Sequence, residues 1–216
     1  DARSSSSDAD GWRIGGYARY GSGGVGPTIS VSAAYSNMQV DVARAIAFGT
    51  LSRTARGSTD LDTFSLGAEF RYGLPIGANW SAGPLARATW SKATLDRLAE
   101  AGADSLNLGA GDNNDKRTRL GLGLFARYES GTNRFDLAAG YATGGRDPSD
   151  VTLALAGAPG TSYRVRSPRG AGDGAFAQVG AGFRLGGGWS FDASVRGTAA
   201  KRERAVSGNI AIGWRF

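Results

Sequence analysis

AVSGNIAIGWRF, residues 205–216, alternates with a period of two. Val206, Gly208, Ile210, Ile212, Trp214 and Phe216 fall on one face, and Ser207, Asn209, Ala211, Gly213 and Arg215 fall on the other. A helical period would mix the two sets, so the stretch reads as a strand with one apolar and one polar face. In Leu61 to Tyr72, Phe64, Leu66, Ala68, Phe70 and Tyr72 likewise oppose Thr63, Ser65, Gly67, Glu69 and Arg71. Arg117 to Glu129 and Trp189 to Ala199 repeat the pattern, as do Trp12 to Tyr20, Thr28 to Ser36, Trp80 to Ser91, Arg134 to Ala142 and Gly174 to Leu185. Each segment is near the roughly 9 to 11 residues that a tilted strand needs to cross a bilayer.

The connections alternate in length. Gly21 to Gly26, Gly73 to Asn79, Ser130 to Asn133 and Gly186 to Gly188 are short and rich in glycine or turn residues. Between them lie long polar stretches, about Asn37 to Asp60, Thr94 to Lys116 and Thr143 to Asp173, which read as loops. Outer-membrane barrels have short periplasmic turns and longer external loops, so the final strand is expected to end at the periplasmic face. Gly21, Gly23 and Gly26 spell a GxGxxG, but Pro27 and another alternating strand follow where a dinucleotide site needs a helix; a hairpin turn is the better reading.

The 216 residues suit one domain, with 1–10 as a polar linker and 11–216 as a transmembrane β-barrel. No run of about 18 apolar residues offers a membrane helix, so a membrane would have to be crossed by strands. The opening DARSSSSDAD has no basic and apolar leader, so any targeting segment is expected to have been removed or excluded. Cysteine and histidine are both absent. That removes disulfide frameworks, thiolate nucleophiles, the usual zinc sites and Ser-His-Asp triads; the expectation is no catalysis, no metal and no cofactor. The net charge of +6 invites a nucleic-acid reading. The arginines recur singly on alternate positions without any nucleic-acid motif, so nucleic acid is not expected as a partner.

A soluble β-sandwich or lipocalin-like barrel also alternates. Aromatic placement favours lipid: Trp12, Tyr20, Tyr35, Tyr72, Trp80, Trp90, Tyr128, Tyr141 and Trp189 sit near strand ends on the apolar face, as an interfacial girdle would. The fold class is therefore all-β, an antiparallel transmembrane barrel of the bacterial outer membrane. Its inward face would carry Arg13, Arg19, Arg71, Arg87, Arg119, Arg127, Arg134, Arg196 and Arg215 against Glu69, Glu129, Asp136 and Asp192. Such a wall either biases what enters and docks a threaded segment, or is a solvated, ion-paired interior.

AIAFGTLSRTARGSTDLDTFSLGAEFRYGL at Ala45–Leu74, LAEAGADSLNL at Leu98–Leu108, LAGAPGTSYRVRSP at Leu155–Pro168 and the terminal GNIAIGWRF resemble the autotransporter β-domain family of type V secretion. Ile210, Ile212, Trp214 and Phe216 resemble the C-terminal signal read by the barrel-insertion machinery. The resemblance implies a twelve-stranded barrel whose lumen holds the segment leading to an N-terminal passenger, and a role in exporting or anchoring that passenger. Nine segments are legible here, and the first and last both descend. An even count is expected, either twelve with strands upstream of Asp1, or ten with a further strand around Val40 to Phe48 or Val151 to Ala156. The alternative function is a small pore or adhesin-type barrel with no passenger. Outer-membrane lipid and glycolipid are the expected surroundings, the latter met by Arg164, Arg166, Arg169, Lys201, Arg202 and Arg204. Glu100, Asp104, Asp112 and Asp115 lack an EF-hand spacing.

Overall fold

The structure is a computed structural model, and it describes residues 5–21, 24–144, 150–166, 172–201 and 203–214. Strands make up 82% of it, and they curl into an antiparallel sheet shaped like half a barrel. In chain order the nine strands of this sheet are β1 (Ser5–Tyr20), β2 (Gly26–Phe48), β3 (Leu51–Pro75), β4 (Trp80–Leu95), β7 (Asn113–Ser130), β8 (Asn133–Thr143), β11 (Gly174–Arg184), β12 (Trp189–Ala200) and β13 (Glu203–Trp214). Each contains one of the segments that alternate in sequence, and each pairs with its neighbours in chain order. Residues 5–10, read as a linker, continue β1 and pair with 39–44 of β2.

The period-two alternation fixes which face each residue joins. Arg19, Ser30, Glu69, Arg87 and Gly121 are successive register partners across five strands, so one row of the concave face is polar. The convex face carries the apolar set, and it is bare: Leu122 and Ile210 are each 71% exposed. A contiguous apolar surface of this extent is foreign to a soluble monomer and suited to lipid, which settles the soluble alternative against the chain.

The concave face is not uniformly polar. Leu85, Phe125, Ala138, Ala142 and Phe176 form its buried apolar cluster. Gly140 gives Phe176 its place, because a Cβ there would lie 2.3 Å from the Leu122 carbonyl oxygen and 2.7 Å from the Phe176 ring. At the short-turn end, Gly21 and Gly26 adopt φ of 100° and 85°, the left-handed conformation open to glycine, and turn β1 into β2. The GxGxxG is thus the hairpin expected of it, with Gly23 outside the described residues.

The opposite end departs from the sequence reading. The stretch 37–60 is not a loop: β2 and β3 stay in register through Phe48 and Leu51, and Val40 to Phe48 belongs to β2. The other two long stretches contribute β5 (Leu98–Ala99), β6 (Leu108–Ala110), β9 (Asp150–Leu155) and β10 (Ser162–Arg166), a second sheet in the order β10-β9-β6-β5. Neither candidate region for a tenth spanning strand supplies one among the described residues. These strands read as polar loops because what they bury is small: in β3, Ala55 and Thr59 are covered while Thr54, Arg56 and Ser58 between and beside them are exposed, so no large apolar residues mark the alternation.

The second sheet is tied to β3 by paired backbone hydrogen bonds between Arg56 and Ala101, at 2.9 and 2.8 Å. Glu100, almost wholly buried, accepts from Arg44 Nε at 3.1 Å, from Arg44 Nη2 at 2.6 Å and from the Leu108 amide at 2.8 Å. Burial raises the Glu100 pKa, but the hydrogen bonds from Arg44 and Leu108 and the Arg44 charge outweigh it and hold the carboxyl below its ordinary range.

A carboxyl whose pKa is depressed on folding stabilises the folded state above its unfolded value, about 4.3, and loses that contribution as pH falls through the folded value. Hydrogen-exchange protection of residues 98–110 is expected to hold from pH 7 to pH 5 and to fall several-fold by pH 3. Glu100→Gln should show lowered protection that no longer varies over this range. In the spanning region, Gly140→Ala should destabilise the barrel by about 1–3 kcal/mol, as overpacking against backbone does, measured by denaturant unfolding in detergent.

Candidate functional site

The candidate site is the concave wall, built by register. Glu69 and Arg87 are directly opposed on β3 and β4, and Arg127 and Asp136 on β7 and β8. Arg71 and Arg134 lie two residues along their own strands from Glu69 and Asp136, hence on the same face. Glu69 therefore accepts from Arg71 Nε at 2.6 Å and from Arg87 Nε at 2.8 Å. Asp136 accepts from Arg127 Nε at 2.7 Å and from Arg134 Nε at 2.9 Å, with Arg71 at 3.7 Å. Arg134 also binds Asp192 of β12, and Gly182 makes room for the pair, since a Cβ there would lie 2.6 Å from the Asp192 carboxylate.

These pairs form a lattice of charge-assisted hydrogen bonds. It surrounds a polar cavity of about 170 Å³ lined by Arg19, Glu69, Arg71, Arg127, Arg134, Asp136 and Asp192. Its walls come from both ends of the sheet, since Arg19 lies on β1 and Asp192 on β12. A second cavity of about 530 Å³ opens at the short-turn end, where Glu129 and Arg134 meet Trp189 and Trp214. Glu129 sits 3.6 Å from Arg127. Arg13 joins the same face of β1, opposite Ser36. Arg119 and Arg196 lie on the wall of a third cavity with Arg87. Arg215 falls outside the described residues.

The aromatic residues named from the sequence face the convex side in two bands. Trp80 packs on Tyr128 with ring centroids 5.1 Å apart, Tyr128 on Phe135, Phe135 on Phe183, and Trp189 on Trp214, a belt along the short-turn end. Tyr20 and Tyr72 stand at the same end of β1 and β3. Trp12 on Tyr35 and Phe64 on Trp90 make the opposite band, and Tyr141 lies on the convex face of β8. About eight to ten residues separate the bands along a strand, which spans roughly the 25 Å apolar height of such barrels. Ile210, Ile212 and Trp214 face outward on β13, and Trp214 Nε1 donates to the Gly187 carbonyl at 3.1 Å. Phe216 lies outside the described residues.

Sequence reasoning missed the apolar residues on the polar face. Phe125 and Phe176 are each 3% exposed and receive guanidinium groups: Arg71 over Phe125 at 5.3 Å, Arg87 and Arg196 over Phe176 at 5.5 and 5.1 Å. Their phase was a readable signal, because each is a large apolar residue standing out of step with its own strand's alternation. Glu100 and Asp104 hold Arg44 and Arg53, and no group of potential metal ligands occurs among the described residues.

A family model described as the autotransporter beta-domain matches residues 1–196 of this chain. Esterase EstA of Pseudomonas aeruginosa and Esterase EstA of Pseudomonas putida are each 28% identical over 130 residues, covering 58% of this chain and 20% of the relative. The chain thus spans about a fifth of the length of these relatives. Among solved structures, the transport unit of the autotransporter AIDA-I from Escherichia coli aligns with 98% of this chain and 84% of its own, at 10% identity and a TM-score of 0.35.

Asp136→Asn removes the shared acceptor of Arg127 and Arg134 and leaves the Arg127 guanidinium, 3% exposed, without its closest counter-charge. Breaking a buried pair from one side costs about 3–5 kcal/mol. The variant is expected to unfold at correspondingly lower denaturant in detergent, with Asp136→Glu recovering part of the loss.

Proposed function

We propose that this chain, which belongs to the autotransporter β-domain family, is an outer-membrane translocator and anchor that assists export or surface display of an N-terminal passenger through its arginine-rich concave wall. The family match over residues 1–196 carries the reading. The wall supports it, because salt-bridged side chains fixed on strands make a rigid polar surface along which an extended, hydrated segment passes without meeting apolar stretches that would trap it. Arg13, Arg19, Glu69, Arg71, Arg127, Glu129, Arg134, Asp136 and Asp192 are the residues assigned to that passage, with Arg215 continuing it by phase.

In this reading the two aromatic bands anchor the barrel at the lipid interfaces. The short-turn end and the C-terminus face the periplasm, and β5, β6, β9 and β10 stand outside the cell. Ile210, Ile212 and Trp214 present the outward row that, with Phe216 next in the sequence pattern, the barrel-insertion machinery reads. Lys201 and Arg204 are offered to glycolipid phosphates at the outer rim, as are Arg164 and Arg166, which share Asp150 at 3.8 and 3.1 Å. No catalytic step is assigned to this chain. The esterase in the relatives' names belongs to proteins of about five times the matched length, and any activity of the whole protein here would lie with its passenger.

The test is surface display. With the natural gene carrying an epitope ahead of Asp1, the epitope is expected to be cut by protease added to intact cells, while the barrel keeps a gel mobility that shifts on boiling. An epitope that stays protected beside a correctly inserted, heat-modifiable barrel would overturn the translocator reading in favour of a passenger-free pore or adhesin.

A further inference from the structure

The concave wall balances its charges unevenly. Glu69, Asp136 and Asp192 are each engaged by arginines toward the short-turn end. Arg87, which gives Nε to Glu69 and Nη2 to Gln178, turns its remaining nitrogen with Arg119 and Arg196 toward a cavity of about 240 Å³ whose lining holds no carboxylate. Arg119 Nε and Nη2, Arg87 Nη1 and Arg196 Nε are buried there without a hydrogen-bond acceptor among the described residues. A guanidinium offers five N–H donors, and those of a charged group that no protein acceptor meets are left to whatever occupies the cavity. Thr89 and Ser207 bring hydroxyl groups to the same cavity. The Phe176 ring beneath Arg87 and Arg196 holds two of the guanidinium planes in place, so the donors are ordered before anything binds.

We infer that the corner formed by Arg87, Arg119 and Arg196 is an anion-binding subsite, charged and shaped by its guanidinium groups for a carboxylate or phosphate. Planar guanidinium forks match the paired oxygens of either group, and one bound anion would supply acceptors to all three. The shared chemistry has two sources. One is an acidic side chain on a segment lodged against the wall, which rests on the translocator reading; the other is free phosphate, which does not. An acidic side chain bound here would hold the lodged segment at one fixed height in the barrel, at a corner where no carboxylate of the wall competes for the arginines.

The experiment uses the full chain folded in detergent, with inorganic phosphate as the first probe, titrated by calorimetry at low ionic strength. Saturable binding to one site is expected, weakened at least tenfold in Arg119→Gln/Arg196→Gln and less in Arg119→Lys/Arg196→Lys, which keeps the charge and loses the fork. A readout free of folding effects comes from the unmutated chain. Phosphate should protect Arg119 and Arg196 from phenylglyoxal, mapped by mass spectrometry, while Arg164 and Arg166 react unchanged. Unsaturable binding, or phenylglyoxal reaction at Arg119 and Arg196 that phosphate does not slow, overturns the subsite whatever the surface-display result. In the second arm, a soluble peptide of four aspartates flanked by serines competes with phosphate. Displacement assigns the site to the lodged segment; phosphate binding that the peptide does not displace overturns that source and leaves the subsite to free phosphate.

Discussion

In the apolar interior of a bilayer, a backbone N–H or C=O has no water to turn to, and each must find its partner within the protein. Strands meet that demand through their neighbours, so the ladder of nine paired strands is the condition under which every other feature of this chain exists. Because the side-chain period of a strand is two, the same ladder sorts residues into a face toward lipid and a face away from it, and a slip of one position would exchange them. Leu122 and Ile210 lie bare on the convex side, while Arg127 lies buried on the other. Neither placement would be tolerable in the opposite register.

The register does a second job. Glu69 meets Arg87, and Arg127 meets Asp136, because those residues are directly opposed on neighbouring strands, and the charges two positions along the same strands join them. A buried ion pair seldom adds much net stability over an apolar filling, but it penalises every arrangement in which one partner is left alone. On this wall the pairs act as checks on strand alignment as much as on affinity. The cation–π contacts of Arg71 and Arg87 extend the same logic across strands that do not neighbour one another, and that of Arg196 adds a contact between the neighbours β11 and β12.

The spanning part of the fold was legible in the sequence because lipid imposes alternation on it, and all nine segments reappear in the large sheet. The aromatic bands were legible for the same reason. Beyond the apolar band that demand disappears: in Asn37 to Asp60, Asp41, Arg44, Arg53 and Arg56 break the apolar phase and β3 buries only the small residues Ala55 and Thr59, so the stretch reads as loop although it is strand throughout except at its tip. The concave wall was legible residue by residue but not as an arrangement. Which arginine meets which acid depends on register and on how tightly the sheet curls. Phe125 and Phe176 interrupt the polar phase and mark where the interior is packed instead of wet.

The hairpin of β2 and β3 runs unbroken from its aromatic band at Tyr35 and Phe64 to Gly49 and Thr50, about thirteen residues a side and roughly 44 Å along the strand. Its tip pair, Phe48 with Leu51, closes almost no loop, and each further pair is added beside one already made. The entropy of bringing the two strands together is thus spread over many small steps instead of one large one. The most far-reaching part of the molecule is, in the order of its assembly, the most local.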